Sequence, residues 1–155
     1  MIENVKRLGL EVKAINPVSK DNKIFLISPV REATKYQLYS MENYIYAVKN
    51  AGYDIHAPHI YTVQQDIFGG YAICYQNAYA IATSKEVHIY YDQTSKGSMF
   101  DLGVAYYLEK PLQILNNQSI KYNDDDFGDR IILNWPWQTN LINIQKEPIM
   151  TKILQ

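Results

Sequence analysis

The sequence predicts an α/β fold in which parallel strands alternate with helices. Three short segments rich in β-branched and aromatic residues, KIFLIS (23–28), YDIHA (53–57) and EVHIYY (86–91), are typical of buried strands. Between them, apolar residues recur at steps of three and four, which is the spacing of one helix face. Because parallel strands need crossover connections, this alternation predicts a parallel sheet covered by helices on both faces.

The first half of the pattern is bounded by prolines and a glycine. Pro29 ends the first strand, Pro58 ends the second, and Gly52 stands where the C-cap of the intervening helix is expected. That helix is predicted from an apolar stripe at Leu38, Met41, Ile45 and Val48. Residues 1–22 form an N-terminal extension for which both a helix and a strand remain open.

The second half continues the alternation. A second helix, ending near Thr83, is predicted from the apolar positions Ile67, Tyr71, Cys74, Ala78 and Ile81. Gly69 and Gly70 are expected to loosen its first turn. A third helix is predicted from Met99, Leu102 and Tyr106. Residues 111–115 are expected to form a fourth strand, and 131–133 a possible fifth.

Length and composition limit the class of protein. A chain of 155 residues, 47% apolar and 20% charged, predicts one globular domain spanning 1–155. The net charge of −1 argues against nucleic acid as a partner. The single Cys74 excludes an internal disulfide framework, and no apolar stretch reaches the roughly 18 residues of a membrane span. We therefore expect a cytoplasmic protein without a membrane partner. Its 14 tyrosines suggest core or interface positions.

Three segments follow the carboxyl ends of the predicted strands, where open α/β sheets bind ligands. They are SPVRE (28–32), APHIY (57–61) and DQTSKGSMFD (92–101). The third is the richest in polar chemistry. Gly97 allows a ligand to approach the backbone closely, the free amides at the start of the third helix favour an anion, and Ser95 and Ser98 add hydroxyl groups.

A purely structural interpretation of the third segment is also open. Ser98 and Asp101 have the S-x-x-[DE] spacing of a capping box. In that case both side chains would only accept hydrogen bonds from free N–H groups at the start of a helix. The residues alone leave capping and ligand binding as alternatives.

Other chemically interesting residues predict less. His56 and His59 lie three apart on a strand-to-loop segment, and a metal site would need further ligands, so no metal is predicted. Cys74 is expected in the core. Residues 135–137, Trp-Pro-Trp, predict a packed loop or a subunit contact, and the acidic segment 123–129 a solvated loop.

The order of four segments adds a family resemblance. KIFLISPVR, AGYDIHAPH, SKEVHIYYD and SKGSMFDLGVAYYLEKPLQIL together resemble the nucleoside 2-deoxyribosyltransferase superfamily, which also includes nucleoside 5′-monophosphate N-glycosidases. The most specific element is G-S-x-x-D-L-G-x-A, similar to the family's G-[ST]-x-x-E-L-G-x-A, and the resemblance covers a core of residues 23–115. It implies a flavodoxin- or Rossmann-like three-layer domain with a five-stranded, mostly parallel sheet of order 2-1-3-4-5.

The resemblance also implies a chemistry: cleavage of the N-glycosidic bond of a (deoxy)nucleoside or its 5′-monophosphate, by transfer or hydrolysis and without a cofactor. Asp101 matches the family's nucleophile. Ser95, six residues before it, resembles the phosphate-holding serine of the monophosphate branch, and Arg31, three residues after Ser28, resembles that branch too. The expected substrate-binding residues are Ser28, Arg31, Ser95, Gly97 and Ser98. The family further implies a homodimer or a larger even-numbered oligomer.

Two departures from the family pattern keep the function open. The family's nucleophile is normally glutamate, and its second acid aligns here with Asn77, which cannot donate and recover a proton at neutral pH. Asp92 is a candidate replacement for that acid, or a strand-end turn residue. The sequence thus leaves three hypotheses: an N-glycosidase or transferase, a nucleotide-binding protein without catalysis, and a structural module.

Overall fold

The computed structural model describes residues 21–65 and 68–137, and its centre is a four-stranded sheet. The strands are β1 (Lys23–Ile27), β2 (Asp54–His56), β3 (Glu86–Ile89) and β4 (Leu112–Ile114). Their order is β2-β1-β3-β4, and all three pairs are parallel. The predicted α/β, Rossmann-like class is confirmed, and the strand order agrees with the predicted one over its first four positions.

Within residues 21–65 and 68–137, five α-helices connect or follow these strands. They are α1 (Lys35–Asn50), α2 (Pro58–Tyr61), α3 (Tyr71–Ala82), α4 (Lys96–Tyr107) and α5 (Phe127–Leu133), with a 3₁₀ turn at Asn117–Ser119. Gly52, with a φ of 89°, lies one residue beyond the C-cap of α1, where a left-handed residue ends a helix. No helix in the described part of the chain is both long and apolar enough to cross a membrane.

The fifth predicted strand is wrong, because residues 131–133 lie in α5. The Asp126 side chain accepts a hydrogen bond from the Asp129 amide and caps that helix. Ile132 then packs into the core beside Trp135. Three consecutive apolar residues are too few to distinguish a period of 2 from a period of 3.6, so the sequence could not separate strand from helix here.

The glycines before α3 also differ from prediction. Gly69 and Gly70 have φ values of 68° and 93°, and Gly70 is the N-cap, so both precede the helix instead of loosening its first turn. Ile67 and the extension at 1–20 lie outside the described residues. The short helix α2 was not predicted, although Pro58 is a natural first helical residue because it needs no N–H partner.

Alternating residues of the strands face two apolar layers. Phe25, Ile27, Val87 and Ile89 face the layer that contains α3 and α4. Ile24, Leu26 and Ile55 face α1, where they pack against Met41, Ile45 and Val48. The sheet is therefore the middle of three layers, as predicted. Trp135 and Trp137 pack edge-on against each other and against Tyr106, which fits the predicted packed loop.

The α1 side of the sheet also buries a polar cluster. His88 Nε2 lies 2.5 Å from Glu86 Oε1, and the Tyr44 hydroxyl forms a hydrogen bond with His88 Nδ1. Burial raises the pKa of Tyr44, and the Glu86 carboxylate adds to this effect. Because these groups bond to one another, the cluster is explained by the internal packing of the fold.

Candidate functional site

The first and third predicted segments meet at one edge of the sheet. Ile27 pairs with Ile89, so the loops that leave β1 and β3 begin side by side. The side-chain amide of Gln37, in the first turn of α1, donates a hydrogen bond to Asp92 Oδ2 at 3.1 Å. This contact ties the start of α1 to the loop that leads into α4.

The N-cap of helix α4 is Ser95, whereas a capping box of Ser98 and Asp101 would require Ser98 at that position. The Ser95 hydroxyl accepts from the Ser98 amide at 3.3 Å and from the Ser98 hydroxyl at 2.9 Å. Since the helix starts at Lys96, Asp101 is its sixth residue, beyond the turn in which a carboxylate can cap free amides. The capping-box interpretation of Asp101 is therefore wrong, and its burial needs another explanation.

Asp101 on α4 and Asn77 on α3 form a buried pair. The Asn77 side-chain nitrogen donates to Asp101 Oδ1 at 3.2 Å and to Oδ2 at 3.1 Å. The two residues are 4% and 6% exposed, respectively. The packing of α3 against α4 thus brings together Asp101, which matches the family's nucleophile, and Asn77, which aligns with the family's second acid.

The environment of Asp101 makes its charge state adjustable. Burial raises the pKa of this carboxyl group to about 7, while the hydrogen bond from Asn77 opposes that rise. A buried carboxylate is usually paired with a cation or with several N–H groups. Here the described structure shows one neutral amide as its hydrogen-bond partner. Both the acid and the carboxylate are therefore accessible near neutral pH.

A hydrogen-bonded chain continues from Asn77 to the end of β2. The Thr62 hydroxyl donates to Asn77 Oδ1 at 2.8 Å, and His56 Nε2 lies 3.0 Å from the Thr62 oxygen. Burial lowers the pKa of His56 to about 4; Lys23 lowers it further and Asp54 raises it. Sequence reasoning considered His56 only as a metal ligand and missed Thr62, which carries no motif or spacing signal.

The described residues offer no metal centre, since they contain no cluster of three or more His, Cys, Asp or Glu side chains that could hold an ion. His56 and His59 do not act together, because His56 bonds to Thr62 whereas both ring nitrogens of His59 are buried without a partner. Cys74, expected in the core, is only partly buried.

Asp92 has the hydrogen bonding of a turn residue. Its Oδ1 accepts from the Thr94 amide at 2.9 Å and from the Thr94 hydroxyl at 2.7 Å, and its Oδ2 accepts from Gln37. Burial raises the pKa of Asp92, but these hydrogen bonds outweigh it and lower the pKa overall. Asp92 bonds to neither Asn77 nor Asp101, so this geometry favours the turn role over the catalytic one.

The remaining predicted binding residues lie in the loop after β1 and in the first turn of α4. Ser28 follows β1, is 4% exposed, and its hydroxyl oxygen is buried without a hydrogen-bond partner. Arg31 is exposed in the same loop. Gly97 lies in the first turn of α4, and a Cβ added there would meet no atom within 4 Å. The protein's own packing thus leaves a free polar group at Ser28 and open space at Gly97.

The acidic segment 123–129 is only partly solvated, which corrects the prediction. Asp129 is fully buried; its Oδ1 accepts from the Tyr91 hydroxyl at 2.6 Å, and its Oδ2 accepts from Gln93 and from the Asn123 amide, both at 2.7 Å. Burial raises the pKa of Asp129, but these hydrogen bonds outweigh it and lower the pKa overall. Because Gln93 belongs to the loop before α4, Asp129 anchors that loop.

Comparison with known proteins supports the fold. One solved structure that matches is a 2-deoxyribosyltransferase from Bacillus psychrosaccharolyticus, described as a biocatalyst for the synthesis of nucleosides. The fold is similar to that of this enzyme. The match has a TM-score of 0.50 and 19% identity, and it covers 59% of this chain and 70% of the other. No protein-family model matches the chain, and no curated protein does either.

Proposed function

We propose that the protein is a nucleoside 2-deoxyribosyltransferase-like enzyme that cleaves the N-glycosidic bond of a (deoxy)nucleoside or its 5′-monophosphate. The observation that carries this proposal is the buried carboxyl group of Asp101, which is paired with a neutral amide. Such a group is costly to keep ionised, and perturbed carboxyl groups of this kind cluster at catalytic sites. The similarity in fold to a 2-deoxyribosyltransferase supports the same reaction class.

The proposed reaction uses the ionised form of Asp101. As the bond between the sugar C1′ and the base nitrogen breaks, positive charge develops at C1′, and a carboxylate oxygen stabilises it or bonds to it. The bond electrons leave with the base. Water or a second base then attacks C1′, releases the sugar and restores the carboxylate. Hydrolysis and transfer differ only in this acceptor.

Asn77 limits how the base departs. Its amide holds the carboxylate through hydrogen bonds but supplies no proton near neutral pH. The proton that the leaving base needs must come from water or from another group of the complex. We therefore expect substrates whose bases leave readily to be cleaved fastest.

The substrate-binding role is assigned to the loops around the start of α4. The Ser95 hydroxyl accepts from the amide and the hydroxyl of Ser98, so its own proton remains to donate to a ligand, and the helix dipole favours an anion there. Ser28 adds an unpartnered hydroxyl at the same sheet edge, and Arg31 adds an exposed cation. This set favours a 5′-monophosphate over a free nucleoside, while Gly97 leaves room for the ligand.

A second candidate function is nucleotide binding without catalysis. The observation that favours it is the Asn77 amide at the position of the family's second acid, together with an aspartate one methylene shorter than the family's glutamate. Attack geometry tolerates little misplacement, since an error of about 1 Å can cost roughly 100-fold in rate. A site of this shape can still hold a nucleotide or a nucleotide-derived signal.

The protein is also proposed to form a homodimer or a larger even-numbered oligomer. Helix α3 has no charged residue among its twelve, yet Tyr75 and Tyr79 on it are 40% and 50% exposed. Phe100 and Tyr107 on the neighbouring α4 are exposed as well. Exposed aromatic side chains on two adjacent helices, one of which has no charged residue, are typical of a contact between subunits.

The deciding experiment is incubation with a panel of nucleosides and 5′-monophosphates, with and without an acceptor base. Products are followed by chromatography and binding by thermal shift. Turnover supports the enzyme, and an acceptor requirement distinguishes transfer from hydrolysis. Stabilisation without turnover supports the binding protein. If no member of the panel is turned over and none stabilises the protein, both candidate functions are overturned.

A further inference from the structure

We propose that His56 and Thr62 are positioning residues, which hold the side-chain amide of Asn77 with its NH₂ group toward Asp101. The inference rests on the proposed function only in giving Asp101 the role of nucleophile. It is carried by three successive contacts: 3.0 Å from His56 to Thr62, 2.8 Å from Thr62 to Asn77, and 3.1 to 3.2 Å from Asn77 to Asp101.

The direction of these hydrogen bonds follows from counting protons. A threonine hydroxyl has one proton, and Thr62 donates it to Asn77 Oδ1, which only accepts. The Thr62 oxygen must then accept from His56, so His56 carries its ring proton on Nε2. All three donors point the same way, and the chain ends on a carboxylate that only accepts.

The same four side chains also allow the opposite direction. A protonated Asp101 would donate to Asn77 Oδ1 after a flip of the amide, and the amide NH₂ would then donate to Thr62. Thr62 would in turn donate to an unprotonated His56 Nε2, with the ring proton on Nδ1. If only His56 changes tautomer, two acceptors face each other at Thr62. If only Asp101 gains a proton, it accepts from Asn77 through its carbonyl oxygen and must turn its O–H away from the amide, the one hydrogen-bond partner that the described residues give it. The tautomer of His56 is therefore coupled to the ionisation of Asp101 through two neutral side chains.

The surroundings of His56 allow it to change tautomer without changing charge. Lys23 and Asp54 act on the ring with opposite sign, and with burial they leave the pKa of His56 far below neutral. Phe25 stacks on the ring at 5.4 Å and Tyr61 packs at 5.6 Å, which fixes the plane of the imidazole. At the other end, Asn77 is the described hydrogen-bond partner of Asp101.

This arrangement gives Thr62 a definite effect on the nucleophile. In the direction that the structure shows, Asn77 donates to the carboxylate, and the amide can reverse only if Thr62 and the His56 tautomer reverse with it. This requirement favours the ionised form of Asp101 that attack on C1′ needs. Without the hydroxyl, the amide is free to rotate and to offer its oxygen to a protonated Asp101. Loss of the Thr62 hydroxyl should therefore raise the pKa of Asp101 and disorder its orientation, although Thr62 bonds to Asn77 and not to Asp101 itself.

The test is an NMR titration of the whole protein without substrate. The ¹³C signal of the Asp101 carboxyl group, assigned by its absence in Asp101→Asn, gives the pKa, and the ¹⁵N shifts of His56 give the tautomer. We expect the ring proton to move from Nδ1 to Nε2 as Asp101 ionises. Thr62→Val should abolish this coupling and raise the pKa of Asp101 by about half a unit or more. Thr62→Ser, which keeps the hydroxyl, should behave like the wild type.

A second variant protects the test if Thr62→Val does not fold. His56→Phe keeps a ring against Phe25 but removes the first donor of the chain, and it should raise the pKa of Asp101 in the same direction by a smaller amount. A His56 tautomer that does not follow Asp101, or an unchanged pKa in the folded variants, would overturn the proposal. Because no substrate is needed, this result is independent of whether any nucleoside is turned over.

Discussion

One nitrogen atom of Asn77 lies within 3.2 Å of both carboxyl oxygens of Asp101, and both side chains are buried. A single amide shared between two oxygens satisfies only part of what an ionised carboxylate can accept. The remaining lone pairs are available to a ligand, and a cationic centre would be the most favourable one. The ionised form of Asp101 therefore lowers the stability of the fold, while its unpaired oxygen lone pairs are available to a developing positive charge on a ligand.

Asp101→Asn should abolish turnover and stabilise the protein at high pH. The pKa of Asp101 is raised in the fold from 3.8 to about 7, so the native state binds this proton more tightly than the unfolded chain. Its contribution to stability is therefore complete below about pH 4 and is lost as the pH rises through about 7. Since one pKa unit is worth about 1.4 kcal/mol, the gain at pH 8 should be on the order of 1 to 4 kcal/mol. Urea unfolding at pH 5 and 8 measures it.

The matched control is the other buried aspartate. The pKa of Asp129 is lowered in the fold, so its contribution to stability is present above its unfolded pKa and is lost only in acid. Asp129→Asn should therefore destabilise at both pH values, by roughly 1 to 3 kcal/mol, because it disturbs three hydrogen bonds. If Asp101→Asn lowered the free energy of unfolding at pH 8, as Asp129→Asn is expected to do, then ionised Asp101 would not destabilise the fold and this prediction would be wrong.

Asn77→Asp should increase turnover by about tenfold or more, because it adds the proton donor that the wild type lacks. Two carboxyl groups at this distance share one proton, and their apparent pKa values move apart. The pH profile of kcat/KM should become bell-shaped. Asn77→Ala removes the amide without adding an acid and serves as the control. Equal rates for the two variants would show that a missing acid does not limit the reaction.

Gly97→Ala and Gly103→Ala test whether space on α4 is reserved for a ligand. Neither added methyl group meets an atom within 4 Å, so both variants should be stabilised, by up to about 1 kcal/mol, through better helix propensity. Only Gly97 lies at the candidate site, and there the methyl group should weaken nucleotide binding by about tenfold through crowding. Calorimetric titration and thermal unfolding measure both effects. Unchanged binding in Gly97→Ala would remove Gly97 from the site.

Ser95→Ala should narrow the preference for a 5′-monophosphate over the free nucleoside, because it removes a hydroxyl beside the anion. It should also cost about 1 kcal/mol of stability, since Ser95 caps α4. Thr34→Ala removes the cap of α1 at a similar cost and should leave the preference intact. Ser95→Gly keeps most of the capping stability but lacks the hydroxyl, so it should bind like Ser95→Ala. Equal affinity of the wild type for both ligands would favour the transferase-type substrate.

The wild type should be a dimer or a larger even-numbered oligomer by light scattering at micromolar concentration. Tyr79→Lys places a charge on the uncharged face of α3 and should reduce the mass of the assembly. Tyr46, 69% exposed on α1, offers the control, because Tyr46→Lys should leave the assembly intact. A monomeric wild type would refute the proposed assembly.

The sequence predicted the parts of the fold in which local pattern and tertiary packing agree. The four strands and the helices α1, α3 and α4 have long or clearly bounded apolar patterns. Helix α2 has only four residues, and α5 shows a three-residue apolar segment, so neither contains enough turns for a period to appear. Their conformation is decided by Pro58 and by the Asp126 cap instead.

The candidate site was predicted as a set of residues but not as a geometry. Asp101 and Asn77 were singled out by resemblance, whereas their contact depends on the packing of α3 against α4. Thr62 and His56 lie on other elements, and no spacing along the chain links them to Asn77. Capping stayed open as an alternative for Asp101 because S-x-x-D matches the capping-box motif. Ser95 lies three residues earlier and can also cap a helix, and the structure shows that it is the N-cap of α4.

The anchor at Asp129 has a consequence for the order of biosynthesis. A ribosome delivers β1, β3 and α4 first, and with them every candidate site residue, while the carboxylate that bonds Tyr91 and Gln93 is still to come. The loop before α4 can reach its final position only after the segment around Asp129 has emerged and folded back. A nascent chain that stopped short of Asp129 would contain every candidate site residue, but the loop before α4 would lack the hydrogen bonds to Asp129 that hold it in place.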